Sequence, residues 1–214
     1  LVMQIALTSE DYATVLGLID QIWEQSGAAV ERDREWLADQ KSRMLVLSRK
    51  YEENLEWIAE REVMTDVRHE SKVVSLIELE RFDESRQALA DWGQGSGVLG
   101  GVRRLTVRLE REAGNLQAMR AALAEMRDRS PLNPEPWIYS VVQESLAGEP
   151  EAARVALDVF LMRFGLQHDG IIMAAKPLKQ IEAWALFDQL MTFAADSRID
   201  DISLVQLRVE AALE

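Results

Sequence analysis

Three segments of this chain repeat one turn-and-helix pattern at a fixed interval, and that interval restricts the fold more than any other feature. Arg81-Phe82-Asp83-Glu84-Ser85, Asn115-Leu116-Gln117-Ala118-Met119 and Glu149-Pro150-Glu151-Ala152-Ala153 align so that residues 85, 119 and 153 are each 34 apart. The register continues without a gap through Ala88, Ala122 and Ala156, then Leu89, Leu123 and Leu157, then the bulky set Trp92, Met126 and Phe160. A lone helix pair cannot bury its apolar face, so a period of this length predicts units that stack on one another. Helix is the expected state of each arm. Ala, Leu, Glu, Arg and Gln lose little entropy in a helix and dominate here, while there are only 5 prolines and 11 glycines.

Gly114 and Gly148 open two of the turns, and an Ala-Leu pair marks each second helix. With a 34-residue helix-turn-helix period, residues 66–165 resemble the tetratricopeptide (TPR) family, whose pattern is W-x2-L-G-x2-Y, then A-x3-F, then P. Trp137 stands at the initial aromatic position, Ala153 at the small position of the second helix, and Pro131 at the terminal proline of the middle unit. The match is partial: Val73, Val107 and Val141 replace a small residue of the first helix, and Met119 replaces one of the second. The resemblance implies an all-α fold, a right-handed α-solenoid of antiparallel helix pairs with helical caps at both ends. Residues 1–65 then form an N-terminal cap with a long helix, 66–165 three repeats, and 166–214 a C-terminal cap.

The flanks are read from periodicity alone. A first helix should open at Thr8 or Ser9, run to about Gln25, and stop at Ser26-Gly27. Residues 29–62 lack proline and glycine. One helix of about 50 Å is preferred there over two helices broken near Ser48. After Gly165 the periodicity weakens. Pro177 is expected to interrupt one segment, residues 180–194 and 202–213 read as helices, and Asp200 and Asp201 are candidate N-caps. Trp36, Trp57 and Trp92 are expected in the core.

A net charge of −13, from 24 Lys and Arg against 37 Asp and Glu, repels phosphate backbones and argues against nucleic acid as a partner. Absence of cysteine removes disulfide and thiolate chemistry. Gly95-Ser96-Gly97-Val98-Leu99-Gly100 spells G-x-G-x-x-G, but the dinucleotide fingerprint must follow a strand and here it follows a helical pattern. A loop between helices is the expectation, with no cofactor. Asp66 and His69 share one helix face at i and i+3, yet a bundle metal site needs a second such pair, and the other histidine, His168, has no acid three residues before it. No metal and no catalytic constellation is expected.

Arg104, Arg108 and Arg111, at i, i+4 and i+7, form the most specific functional hint. In TPR proteins the first helix of each unit lines a concave groove. By that alignment the arginines would face a groove with Glu70, Val74 and Ile77 from the preceding unit and Ile138, Val142 and Ser145 from the following one. Guanidinium clamps carboxylate through two parallel hydrogen bonds, so the expected partner is a protein or peptide with acidic groups or a free C-terminus. The alternative is that these arginines pair with Glu70, Glu78, Glu110 and Glu112 of the chain itself. The leading expectation is a non-enzymatic scaffold that helps assemble or localise a complex, and the runner-up is a homodimer formed through residues 29–62. No apolar run is long enough for direct membrane insertion. Cytoplasm is the expected compartment, or a membrane tether through residues preceding Leu1.

Overall fold

The computed structural model describes residues 11–25, 31–95, 99–199 and 202–212. Among these residues all regular structure is helical, with no strand. The helices are α1 (Tyr12–Gln25), α2 (Glu31–Leu47), α3 (Tyr51–Ala59), α4 (Asp66–Glu78), α5 (Phe82–Gly95), α6 (Leu99–Glu112), α7 (Leu116–Arg129), α8 (Glu135–Leu146), α9 (Pro150–Phe164), α10 (His168–Gln180), α11 (Trp184–Asp196) and α12 (Ile202–Ala212). The expected first-helix start at Thr8 or Ser9, its stop at Ser26-Gly27, residues 96–98 of the glycine motif and the caps Asp200 and Asp201 lie outside the described residues. None of the described helices is long and apolar enough to cross a membrane.

The chain forms two compact units, Leu1–Ala113 and Gly114–Glu214. In the first, α1 packs on α2, α2 on α3 and α4, α3 on α4, and α4 on both α5 and α6. Val73, Leu76, Ala88, Leu89, Trp92, Leu105 and Leu109 make one of its cores; Val15, Ile19, Met44 and Leu45 make another. In the second unit α8 packs on α7, α9 and α10, while α11 packs on α9 and α10. Leu157, Phe160, Phe164, Ile171, Leu178, Phe187 and Leu190 lie in its core. Packing of neighbouring helix pairs is compatible with a helical repeat.

Three expectations about the flanks are corrected. Residues 29–62 are not one helix, because Arg49 adopts a left-handed conformation (φ 59°) between α2 and α3. Lys50 N–H then reaches back to the Leu45 carbonyl at 2.8 Å and Arg49 N–H to Val46 at 3.0 Å, closing α2 as a glycine would. Pro177 does not interrupt its segment either. α10 runs almost one turn beyond it, to Gln180. Trp36 is likewise not in the core: it is 54% exposed, whereas Trp92 is 2% exposed.

Positive φ recurs at Glu80 (57°), Gly114 (71°), Gly148 (72°) and Glu182 (56°), and these positions are each 34 residues apart. After Glu80, Gly148 and Glu182 the same closure forms, with the residue following the turn donating five positions back: Arg81 to Leu76 at 2.8 Å, Glu149 to Glu144 at 3.0 Å, Ala183 to Leu178 at 2.9 Å. The turn therefore occurs a fourth time, beyond the three copies that the side-chain pattern marks. Left-handed backbone costs a residue with a Cβ roughly 1–2 kcal/mol, and glycine's greater unfolded freedom offsets part of that. Glu80→Gly should raise the unfolding free energy by about 0.5–1 kcal/mol. Urea unfolding followed by circular dichroism checks this, and a destabilised variant would contradict the account.

Candidate functional site

Thr65 starts α4: its backbone is extended and its hydroxyl accepts from Arg68 N–H at 3.3 Å. The next turn is held from behind by Arg68, which is 0% exposed. Its Nη1 donates to the Val63 carbonyl at 2.6 Å and its Nη2 to the Glu35 carboxylate at 2.6 Å. Nε lies 2.9 Å from Asp39, an ion-pair contact rather than an aligned hydrogen bond. Asp39 also accepts from the Thr65 hydroxyl at 2.8 Å, so cap and clamp share one carboxylate on α2. Deeper along α4, the buried Asn54 of α3 accepts from Ser42 at 2.7 Å and donates to Ser75 at 2.8 Å, joining α2, α3 and α4.

On that frame the predicted groove residues separate. Ile77 and Ile138 are 3% and 6% exposed and belong to the cores of their respective units, so they offer almost no surface to a ligand. Glu70 is exposed and Val74 half-buried. Both line a cleft of about 280 Å³ with Arg43, Met44, Val46 and Leu47 of α2. This α2 wall was missed by the repeat alignment, although Met44 and Leu47 belong to the apolar pattern of that segment. In the second unit Val142 packs partly buried against the core, and Ser145 edges a different cleft of about 610 Å³.

On α6, which carries the arginine stripe, Leu105 and Leu109 point into the core, Arg104 is exposed, Arg108 is half-buried and the Arg111 side chain is only 13% exposed. Arg108 pairs with Glu78 of α4, which also accepts from the Tyr51 hydroxyl at 3.2 Å, and Arg111 pairs with its neighbour Glu112. Burial, followed by the Glu78 charge, pushes the Tyr51 phenol above its ordinary pKa. Two of the in-chain pairings open to the stripe are thus formed. Glu110 takes Arg86 of α5 in a two-pronged contact at 2.9 and 3.0 Å.

The same contact recurs one period later, where Arg120 of α7 grips Glu144 of α8 at 2.8 Å through both Nε and Nη2. Glu110 and Glu144 are 7% and 6% exposed. Hydrogen bonds to these carboxylates hold the Arg86 and Arg120 guanidinium protons more tightly than usual. Each bond ties a second helix to the following first helix.

Asp66 and His69 serve Trp92. Asp66 accepts from the indole N–H at 2.8 Å, and the imidazole stacks on the ring with centroids 6.0 Å apart. Burial, more than the Lys72 charge, lowers the imidazole pKa. Among the described residues no group of three or more His, Cys, Asp or Glu side chains is placed to hold a metal ion. No protein-family model matches this chain, and no curated protein matches it.

Proposed function

We propose that this chain is a non-enzymatic protein-interaction scaffold of TPR-like build, a right-handed α-solenoid of antiparallel pairs whose first helices bind a partner protein or peptide and help assemble or localise a larger complex. The observation that carries the reading is the left-handed turn at 34-residue intervals, residues 80, 114, 148 and 182. A period that persists in the backbone even where glycine is replaced by glutamate is what stacked units require. The binding surface is the α4 and α6 face, with Arg104 and Arg108 as carboxylate contacts beside Glu70 and Val74.

The Arg108–Glu78 pair does not conflict with this role. Its side chains are 32% and 31% exposed, and pairs open to solvent contribute little, so a ligand carboxylate can exchange for Glu78 at small cost. Capture of partners on the immobilised chain, identified by mass spectrometry, supplies a ligand for titration calorimetry. Replacing Arg104, Arg108 and Arg111 together by Ala should then weaken that ligand about 10-fold or more, since hydrogen bonds to charged groups contribute roughly 1.5–3 kcal/mol each. Unchanged affinity with an unchanged circular dichroism spectrum would remove the groove.

A further inference from the structure

Arg154 occupies the repeat position of Arg86 and Arg120 but has lost the carboxylates that those two grip. Arg120 holds Glu144 at 2.8 Å and reaches Glu149 at 3.4 Å. One period on, those two acids are Leu178 and Ala183. Arg154 turns back instead to its own helix, to Glu151 at 3.1 Å and Asp158 at 3.3 Å. Its side chain is 53% exposed and Glu151 is 83% exposed, so these contacts are weak and exchangeable. Beside it, where Ala183 has replaced glutamate, lies the cleft of about 610 Å³, entirely within the second unit. Pro150 and Trp184 form its apolar walls, with the buried Leu186 at its floor.

We propose that this cleft docks a partner segment carrying a single carboxylate side chain next to an apolar one. The carboxylate takes the place beside Arg154 that Glu149 takes beside Arg120, left open by Ala183, while Leu178 fills the place of Glu144 in the core; the apolar side chain covers Trp184. Guanidinium presents two parallel donors to a carboxylate, and the reach of Arg120 to Glu149 at 3.4 Å is the in-chain precedent for an acid on the side that Ala183 leaves open. Glu151 and Glu182 stand at the rim and the chain carries a net charge of −13, so a segment with several acids is disfavoured. The site uses neither the α4 and α6 face nor its arginines, and stands whether or not that groove binds a ligand.

The test titrates acetylated, amidated hexapeptides bearing one glutamate beside a leucine or phenylalanine, with uncharged flanks, into the full ¹⁵N-labelled chain. Saturable shifts of the Trp184 indole and Arg154 Nε signals are expected, with glutamine counterparts binding about 5-fold or more weakly. Arg154→Met should abolish the distinction between glutamate and glutamine peptides. Ala183→Glu, which restores a carboxylate within the chain, should weaken the glutamate peptides about 5-fold or more without lowering the melting temperature. Binding should survive the triple replacement of Arg104, Arg108 and Arg111. Equal binding of the glutamine peptides, absence of shifts up to millimolar peptide, or preference for a peptide whose only carboxylate is its C-terminus would overturn the proposal.

Discussion

Arg68→Ala should lower the unfolding free energy by about 3–5 kcal/mol, the cost of removing one partner from a buried ion pair. The guanidinium is 0% exposed and bonds the Val63 carbonyl, the Glu35 carbonyl and the Glu35 carboxylate, with Asp39 in ion-pair contact. Its removal strands Asp39, whose side chain is only 15% exposed, and opens a cavity where α2 meets α4. Arg68→Met separates the two costs. It fills most of the volume but leaves the acids unpaired, so it should recover only part of the loss, and combining it with Asp39→Asn should recover more. Urea unfolding monitored by circular dichroism and by amide exchange in α2 and α4 gives the values. A loss below about 1 kcal/mol would place the pair among exposed ones in energetic terms and refute the clamp.

Phe160→Ala should cost about 3–5 kcal/mol in the second unit, through lost transfer energy and an unfilled cavity. Phe160 is 0% exposed, with its ring 5.7 Å from that of Phe164. A Cβ built at Gly170 would meet Phe160 Cζ at an ordinary 3.7 Å, and its tight approach, 3.1 Å, would be to the Phe164 carbonyl oxygen. Phe160→Leu keeps most of the volume and should cost less than half as much. Amide exchange tells where the loss falls. It should accelerate in α8 to α11 and not in α1 to α5, and an equal cost for both variants would mean that the ring is not what fills the site.

Phe160 also shows why the pattern was readable over three periods and not the fourth. Leu89, Leu123 and Leu157 are all buried and stand in register, and so do Trp92 and Phe160. In the last copy the sizes are exchanged: Leu190 stands where Ala156 stood, Phe187 where Ala153 stood, and Ala194 where Phe160 stood. All three are buried, so the volume is redistributed and the core is still filled. A search for small residues at small positions cannot see such an exchange. Turn chemistry hid the rest, since Arg49, Glu80, Glu182 and Arg198 hold the left-handed backbone normally left to glycine. With no glycine or proline to announce it, composition could not favour the alternative of a break near Ser48, which is where α2 ends and α3 begins, over one continuous helix.

The candidate site was legible in a narrower sense. The spacing of Arg104, Arg108 and Arg111 does place them on one side of α6, because helix geometry dictates it. What spacing cannot contain is the partner of each charge. Glu110, one of the acids open to the stripe, faces α5 and takes Arg86, while Glu78 comes across from α4 to Arg108. Arg68 was hidden for the opposite reason: an arginine in a helix reads as surface, and only the carboxylates of α2, 33 and 29 residues earlier, make its burial tolerable.

That clamp sets where the chain can be divided. The sequence period begins at residue 66, which would make the next residues look like the start of a portable module. A fragment excised there would carry Arg68 but neither Glu35 nor Asp39, nor the hydroxyl of Thr65 that caps α4, and the face of its leading helix that α2 and α3 bury would be left open to water with the guanidinium stripped of these partners. The repeats and the segment before them are, at this joint, one object, and a minimal version of the protein has to be cut ahead of α2.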